Sequence, residues 1–304
     1  MRDLTKYHGV MPAFYGCYKD DGSISETRAR ALTRYLIESG VKGTYVGGSS
    51  GECIYQRPAE RKKILETVVD EAAGRLTIIA HVACNNTEDS MELAAHAESV
   101  GVDAIASIPP IYFRLPDHAV AKYWNDISSA APHTDFVIYN IPQLAGTALT
   151  VPLFKEMLKN PHVIGVKNSS MLETDIQEFK AAGGDDCIVF NGPDEQFIAG
   201  RIMGAQGAIG GTFGVMPKLY LKADALFKSG DLEQARRLQY DINEIISALC
   251  SGHGSMYAVI KGVLRKKGLE LGSVRPPMPA LIESDAAVVE TCSRLICEAE
   301  ARYC

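Results

Sequence analysis

The chain has 304 residues, 46% of them apolar and 22% charged, with a formal net charge of −6. That length buries a large core, as one barrel or as two smaller domains, and the acidic balance leaves no electrostatic footprint for nucleic acid or an anionic membrane surface. The charged opening stretch 1–9 lacks a secretory apolar segment, no run approaches the roughly 18 apolar residues of a membrane span, and the eight cysteines form no Cys-x-x-Cys pair, so the expectation is a cytoplasmic protein with reduced thiols and no zinc ribbon.

Short apolar runs alternate with helical patterns along most of the chain. Strands are expected at 10–15, 43–47, 76–82, 104–108, 136–139, 163–167, 187–190 and 207–210. The helix-like stretches between them include 25–39, 59–73, 87–100 and 117–130. Ser25-Glu26 supplies a cap and an acidic first turn, Arg57-Pro58 puts proline at a helix start, and Gly40 and Gly101 stand where helices should stop.

Eight strands alternating with helices predict a parallel sheet, and the count favours a closed (β/α)₈ TIM barrel over an open doubly wound sheet. No Gly-x-Gly-x-x-Gly follows the first strand, which weakens a dinucleotide-binding reading. Past residue 217 the β signal ends, and helices are expected at 217–228, 232–249, 255–267 and 279–301. The chain therefore reads as a single structural unit. Residues 1–216 form most of the barrel, and 217–304 complete and extend it with C-terminal helices. The basic run Arg265-Lys266-Lys267 fits a helix C-terminus better than a binding patch.

Barrel enzymes carry their reacting groups where strands end. Here those ends read Gly47-Gly48-Ser49-Ser50-Gly51-Glu52, Pro109-Pro110-Ile111-Tyr112, Tyr139-Asn140-Ile141-Pro142, Lys167-Asn168-Ser169-Ser170, Asn191-Gly192-Pro193-Asp194-Glu195 and Gly210-Gly211-Thr212-Phe213. Polar groups thus gather at one rim.

Lys167 is the most informative residue. Strand alternation groups Val163, Gly165 and Lys167 on one face. If that face is the barrel interior, Gly165 leaves space beneath the lysine stem, while Ile164 and Val166 face the helices. A lysine desolvated in a barrel mouth becomes a usable amine nucleophile; one at an ordinary strand end snorkels its head to water. Tyr139, ending the preceding strand, suits proton transfer beside such a lysine, where a lone buried tyrosine would merely pack. The Gly-Gly-Ser-Ser-Gly-Glu loop offers backbone N–H groups and two hydroxyls to a carboxylate. Asp194 and Glu195 can hold a polyol or stabilise a helix N-terminus, and the two roles can coexist. His81 ends the third strand on the same rim and reads as structural, since no histidine pair has metal-ligand spacing. Cys17, Cys53 and Cys84 read as packing residues.

Together these motifs resemble the N-acetylneuraminate lyase and dihydrodipicolinate synthase family, from about Gly9 into the C-terminal helices. The segments that carry the resemblance are Gly47 to Glu52, Tyr139 to Pro142, Gly165 to Ser169 and Gly192 to Glu195. The resemblance implies that Lys167 forms an imine with pyruvate, that Tyr139 transfers protons, and that Ser49 and Ser50 hold the pyruvyl carboxylate. It implies substrate contacts at Ser169, Gly192, Asp194, Glu195 and Gly211. It also implies that Tyr112 reaches into a neighbouring subunit's site, so that the chain is at least a dimer and usually a tetramer. No metal or organic cofactor is expected; the partners are pyruvate and a sugar or keto sugar acid.

Within the family the lyase branch fits best. The synthase branch usually carries an arginine soon after its Tyr-Asn-Ile/Val-Pro segment, and Gln143-Leu144-Ala145-Gly146 has none. Two departures stand out. Gly211 occupies a position where the lyases usually offer a serine hydroxyl, and Gly16-Cys17-Tyr18 replaces the usual Thr-Pro-Phe. The expected reaction is reversible cleavage of a 2-keto sugar acid, N-acetylneuraminate first, to pyruvate and an aldehyde sugar. The alternatives are condensation of pyruvate with aspartate semialdehyde, and a non-catalytic sugar-acid binder that kept the barrel.

Overall fold

The computed structural model describes residues 3–304. Its eight strands are β1 (Gly9–Pro12), β2 (Gly43–Val46), β3 (Thr77–His81), β4 (Ala104–Ser107), β5 (Asp135–Asn140), β6 (Val163–Asn168), β7 (Ile188–Asn191) and β8 (Gly207–Gly210). The helices are α1 (Glu26–Glu38), α2 (Pro58–Ala72), α3 (Thr87–Ser99), α4 (Asp117–Ser129), α5 (Pro142–Ala145), α6 (Val151–Met157), α7 (Thr174–Gly183), α8 (Phe197–Ile202), α9 (Pro217–Ser229), α10 (Leu232–Leu249), α11 (Met256–Lys266) and α12 (Ala286–Tyr303). The strands form one sheet in the order β1-β8-β7-β6-β5-β4-β3-β2. The Lys42 N–H donates to the Val10 carbonyl at 3.0 Å, joining the two ends of that order. This is a TIM barrel, as the strand count predicts.

Contacts divide the chain into two compact units. The first holds the chain up to Met11, Lys42–Val46 and Thr77–Gly210; the second holds Pro12–Val41, Gly47–Leu76 and Gly211–Cys304.

In the first unit every strand gives at least one side chain to a single buried cluster: Met11, Tyr45, Ile79, Ala104 and Ala106, Val137 and Tyr139, Ile164, Ile188 and Phe190, and Ile209. β2, β4, β7 and β8 are buried along their whole length, as strands covered on both faces must be. That is why they read as plain apolar runs and not as alternating ones. The helix starts follow their caps. Asn86 accepts the Asp89 N–H at 2.7 Å ahead of α3, and Thr150 accepts the Leu153 N–H at 3.2 Å ahead of α6.

β6 departs from simple alternation. Its register with β5 slips, pairing Phe136 with Val163 and Val137 with Gly165. One extra residue in a strand reverses the faces beyond it, so Ile164 joins the interior cluster instead of facing the helices. Nor does Gly165 leave space beneath the lysine stem. A Cβ there would lie 1.8 Å from the Ile188 carbonyl oxygen, so glycine is required by the close approach of β7.

In the second unit α1 packs on α2, α10 on α9 and α12, and α11 on α12. α1 buries Ala29, Leu32, Thr33 and Leu36, a stripe at helical spacing. Ser25 caps it, and Gly40 stops it at φ +78°. Pro58 opens α2, where the Glu60 carboxylate accepts the Arg57 N–H at 2.9 Å. Arg265 and Lys266 lie in the last turn of α11, completing its dipole. The expected helix at 279–301 begins later, at Ala286. The preceding segment is spent on a tie: the Asp285 carboxylate accepts the N–H groups of Ile282, His253 and Gly254 at 2.9, 2.7 and 3.0 Å.

All eight cysteines are free thiols. Among the described residues, no helix is long and apolar enough to cross a membrane, and no cluster of His, Cys, Asp and Glu could hold a metal ion.

Candidate active site

Lys167 is the next-to-last residue of β6, in register with Tyr139 on β5 and Phe190 on β7. It is 5% exposed. Its Nζ lies 3.9 Å from the centroid of the Tyr139 ring and 4.6 Å from that of Tyr45. The aromatic wall continues to His81: its ring lies 6.0 Å from both Tyr45 and Tyr139, and those two tyrosines are 5.8 Å apart. Among the described residues Lys167 has no ion-pair partner; its company is ring faces. This is not a snorkelling lysine.

The next residue on each of three adjacent strands is an asparagine. Asn140, Asn168 and Asn191 share one register. The Asn140 amide donates to Asn168 Oδ1 at 2.7 Å, the Asn168 amide donates to Ser170 Oγ at 2.9 Å, and Ser170 Oγ donates to the Asp175 carboxylate at 2.5 Å. Asn140 Oδ1 also accepts the Leu149 N–H at 2.9 Å, and the Asn191 amide donates to the Pro193 carbonyl at 2.8 Å. These bonds fasten the strand ends immediately after Tyr139, Lys167 and Phe190.

Ser169 and Gly192 meet at the same level. The Ser169 N–H donates to the Asn140 carbonyl at 2.7 Å, and the Gly192 N–H to the Asn168 carbonyl at 2.8 Å. A Cβ on Gly192 would lie 2.0 Å from Ser169 Oγ, so this position must stay glycine for the hydroxyl to sit there. Asp194 and Glu195 form a 3-10 turn, Asp194–Gln196, that leads into α8. Asp194 is buried and Glu195 exposed. Tyr112, after β4, is 89% exposed, has φ +84°, and stacks edge-on against exposed Phe113 at 5.0 Å. An aromatic residue held in the left-handed region and left in solvent is uncommon.

The second unit carries the other predicted residues. Ser49 and Ser50 form a 3-10 turn with Gly51 directly after β2. Ser50 is buried, and its Oγ lies 3.0 Å from the Tyr257 hydroxyl. Gly211 is close to both: a Cβ there would lie 3.2 Å from Ser50 Oγ and 3.3 Å from the Tyr257 hydroxyl. Its carbonyl accepts the Tyr15 hydroxyl at 2.8 Å.

Glu52, two residues past Ser50, stands at φ +62° and is 1% exposed. Lys261 Nζ donates to Glu52 Oε1 at 2.7 Å and to the Ser273 carbonyl at 2.8 Å; the Arg275 N–H donates to Glu52 Oε2 at 2.7 Å. Burial pulls the Lys261 ammonium below the usual lysine range, and the Glu52 charge opposes that pull.

The Gly16-Cys17-Tyr18 departure belongs to this buried network. The Tyr18 hydroxyl accepts from the Gln56 amide at 2.8 Å, and its ring has Lys261 at 4.8 Å and Arg275 at 4.6 Å. Gly16 leaves that room: a Cβ there would lie 2.7 Å from the Tyr18 hydroxyl and 2.9 Å from Glu52 Oε1. Burial pushes the Cys17 thiol up to about 12, consistent with a packing cysteine.

Sequence reasoning missed Tyr45, the asparagine register, Tyr257 and the Glu52–Lys261 pair. A signal existed for the second. Tyr139-Asn140, Lys167-Asn168 and Phe190-Asn191 are three strand ends of one pattern.

The barrel, with a buried lysine near one strand end, is the frame that comparison with known proteins narrows. The model of the dihydrodipicolinate synthetase family matches residues 6–293, and the chain belongs to that family. It is 61% identical to an N-acetylneuraminate lyase of Mediterraneibacter gnavus, across the whole of this chain and 96% of the relative. It is 35% identical to an N-acetylneuraminate lyase of Rhizobium meliloti, across 93% of each. The solved wild-type sialic acid aldolase of Ruminococcus gnavus superposes with a TM-score of 0.97 at 61% identity, covering 98% of this chain and 100% of that one.

Proposed function

We propose that the chain is a class I aldehyde-lyase that cleaves N-acetylneuraminate reversibly to pyruvate and N-acetylmannosamine. The observation that carries this is Lys167, a buried amine at a barrel strand end, walled by Tyr45 and Tyr139 and without an ion-pair partner among the described residues. The relatives' names point to the same chemistry.

The Lys167 amine adds to the ketone carbon of the open-chain sugar acid and expels water. The resulting iminium draws in the electrons of the bond between its α carbon and the hydroxyl-bearing β carbon, and that pair becomes the enamine double bond. Tyr139 gives its proton to the departing water, its oxygen then takes the proton from the hydroxyl that becomes the aldehyde, the bond breaks, and the aldehyde sugar leaves. The enamine left on Lys167 is protonated at carbon, and water releases pyruvate and regenerates the amine. The lysine supplies the electron sink itself.

By resemblance to the family, Ser49 and Ser50 hold the pyruvyl carboxylate, and Ser169, Gly192, Asp194, Glu195 and Gly211 serve the rest of the substrate. Tyr112 completes a neighbouring subunit's site in a cytoplasmic homotetramer. Its exposure and its backbone conformation support that role. Release of pyruvate from N-acetylneuraminate, followed continuously, tests the activity; no release above a Lys167→Ala control would end it. Sedimentation tests the assembly, which a fully active monomer would contradict.

A further inference from the structure

We propose that Tyr257 is a positioning residue that sets the direction in which Ser50 offers its hydroxyl proton. This rests on the proposed carboxylate role of Ser50.

The loop that carries Ser50 is gripped from one helix. Tyr257 and Lys261 are four residues apart on α11 and therefore share a face. Tyr257 reaches the Ser50 hydroxyl at 3.0 Å, and Lys261 reaches the Glu52 carboxylate at 2.7 Å. The second contact is an anchor. Both Glu52 oxygens are engaged, one by Lys261 and one by the Arg275 N–H, and the left-handed backbone of Glu52 is held in a buried setting. These bonds tie the loop to α11 and to the segment around Arg275.

The first contact then decides a proton. Either hydroxyl could donate by geometry alone. A phenol is far more acidic than an aliphatic alcohol and is the better donor. Tyr257 therefore gives its proton to Ser50 Oγ. The serine oxygen is then satisfied as an acceptor, and its own proton is left to point at an anion. Gly211 leaves the two hydroxyls uncrowded. Any side chain there would begin 3.2 Å from Ser50 Oγ and 3.3 Å from the Tyr257 oxygen, pressing on both hydroxyls. Where the chain lacks a hydroxyl at 211, it keeps one from α11 instead.

The test pairs two variants, Tyr257→Phe and Ser50→Ala, with their combination. The readouts are the pyruvate concentration that half-saturates borohydride trapping at Lys167, and KM and kcat for cleavage of N-acetylneuraminate. Tyr257→Phe keeps the ring and its packing. It should raise the half-saturating pyruvate concentration and KM by about 3- to 10-fold, the range of one neutral hydrogen bond, with a smaller change in kcat. Because Tyr257 acts through Ser50, the double variant should match Ser50→Ala alone. Unchanged half-saturation in Tyr257→Phe would overturn the inference while leaving the lyase reading intact, and so would effects that simply add in the double variant. Failure of the wild-type protein to trap pyruvate at all would sink the functional reading, and this inference with it.

Discussion

Lys167 Nζ sits 3.9 Å from the centre of the Tyr139 ring, and the two residues are register partners on adjacent strands. The lysine therefore meets the face of the phenol ring, and a carbon bonded to Nζ starts its bonds beside that ring.

Covalent chemistry at Lys167 is the first expectation. Pyruvate with borohydride should leave one reduced adduct on the protein, and peptide mapping should place it on Lys167. Lys167→Ala should abolish turnover while the barrel still unfolds cooperatively. An adduct on another lysine would refute the assignment.

Tyr139→Phe should lower kcat by roughly 10²- to 10⁴-fold, the usual cost of losing a general acid–base group. The ring packs in the interior cluster, and phenylalanine keeps that packing, so denaturant midpoints should barely move. Borohydride trapping of pyruvate should survive better than cleavage of the sugar acid. Kinetics near wild type would make Tyr139 a packing residue only.

The buried pair of Lys261 and Glu52 should be costly to break on one side. Their side chains are 2% and 0% exposed. Lys261→Met strands a buried carboxylate, for which about 3–5 kcal/mol of stability is typically lost. Adding Glu52→Gln should recover part of that loss, because the stranded charge is gone. Urea unfolding of the two variants measures both. A loss under about 1 kcal/mol in Lys261→Met, the worth of an exposed pair, would mean that water reaches Glu52.

That pair also marks the limit of what the sequence discloses. The eight strands were legible because buried parallel strands are written as apolar runs, and Lys167 was legible because charge at the end of such a run is conspicuous. Glu52 and Lys261 are 209 positions apart, and no local period links them. Alternation alone misassigns Ile164 because it counts residues, and Ile164 is itself the extra residue where the register with β5 slips. The start of α12 was set too early because the segment around Pro279 shares its apolar content, while the tie made by Asp285 is visible only once residues 253 and 254 lie beside it. Tyr257 reads as one more aromatic residue on an amphipathic helix until Ser50 is seen at its hydroxyl.

Substrate choice is the remaining expectation. A hydroxylated chain needs fixed acceptors beyond its keto-acid end, and Asp194 and Glu195 are the acidic residues in the turn after β7. A hydrogen bond to a charged group contributes about 1.5–3 kcal/mol, and about 1.4 kcal/mol is a factor of ten. Asp194→Asn or Glu195→Gln should therefore weaken discrimination for the sugar acid by about tenfold or more if that residue binds it. Imine formation with pyruvate alone should hardly change. Aspartate semialdehyde needs a cationic partner for its own carboxylate. After Pro142 the chain offers Gln143 and Leu144, and the Gln143 amide is already committed to the Ser169 carbonyl at 2.6 Å, while Leu144 is exposed and uncharged. Cleavage of N-acetylneuraminate should therefore show a higher kcat/KM than condensation of pyruvate with aspartate semialdehyde. The two assays, run side by side on one preparation, decide between the branches: the reverse order would move the chain to the synthase reaction and leave the Schiff base on Lys167 standing.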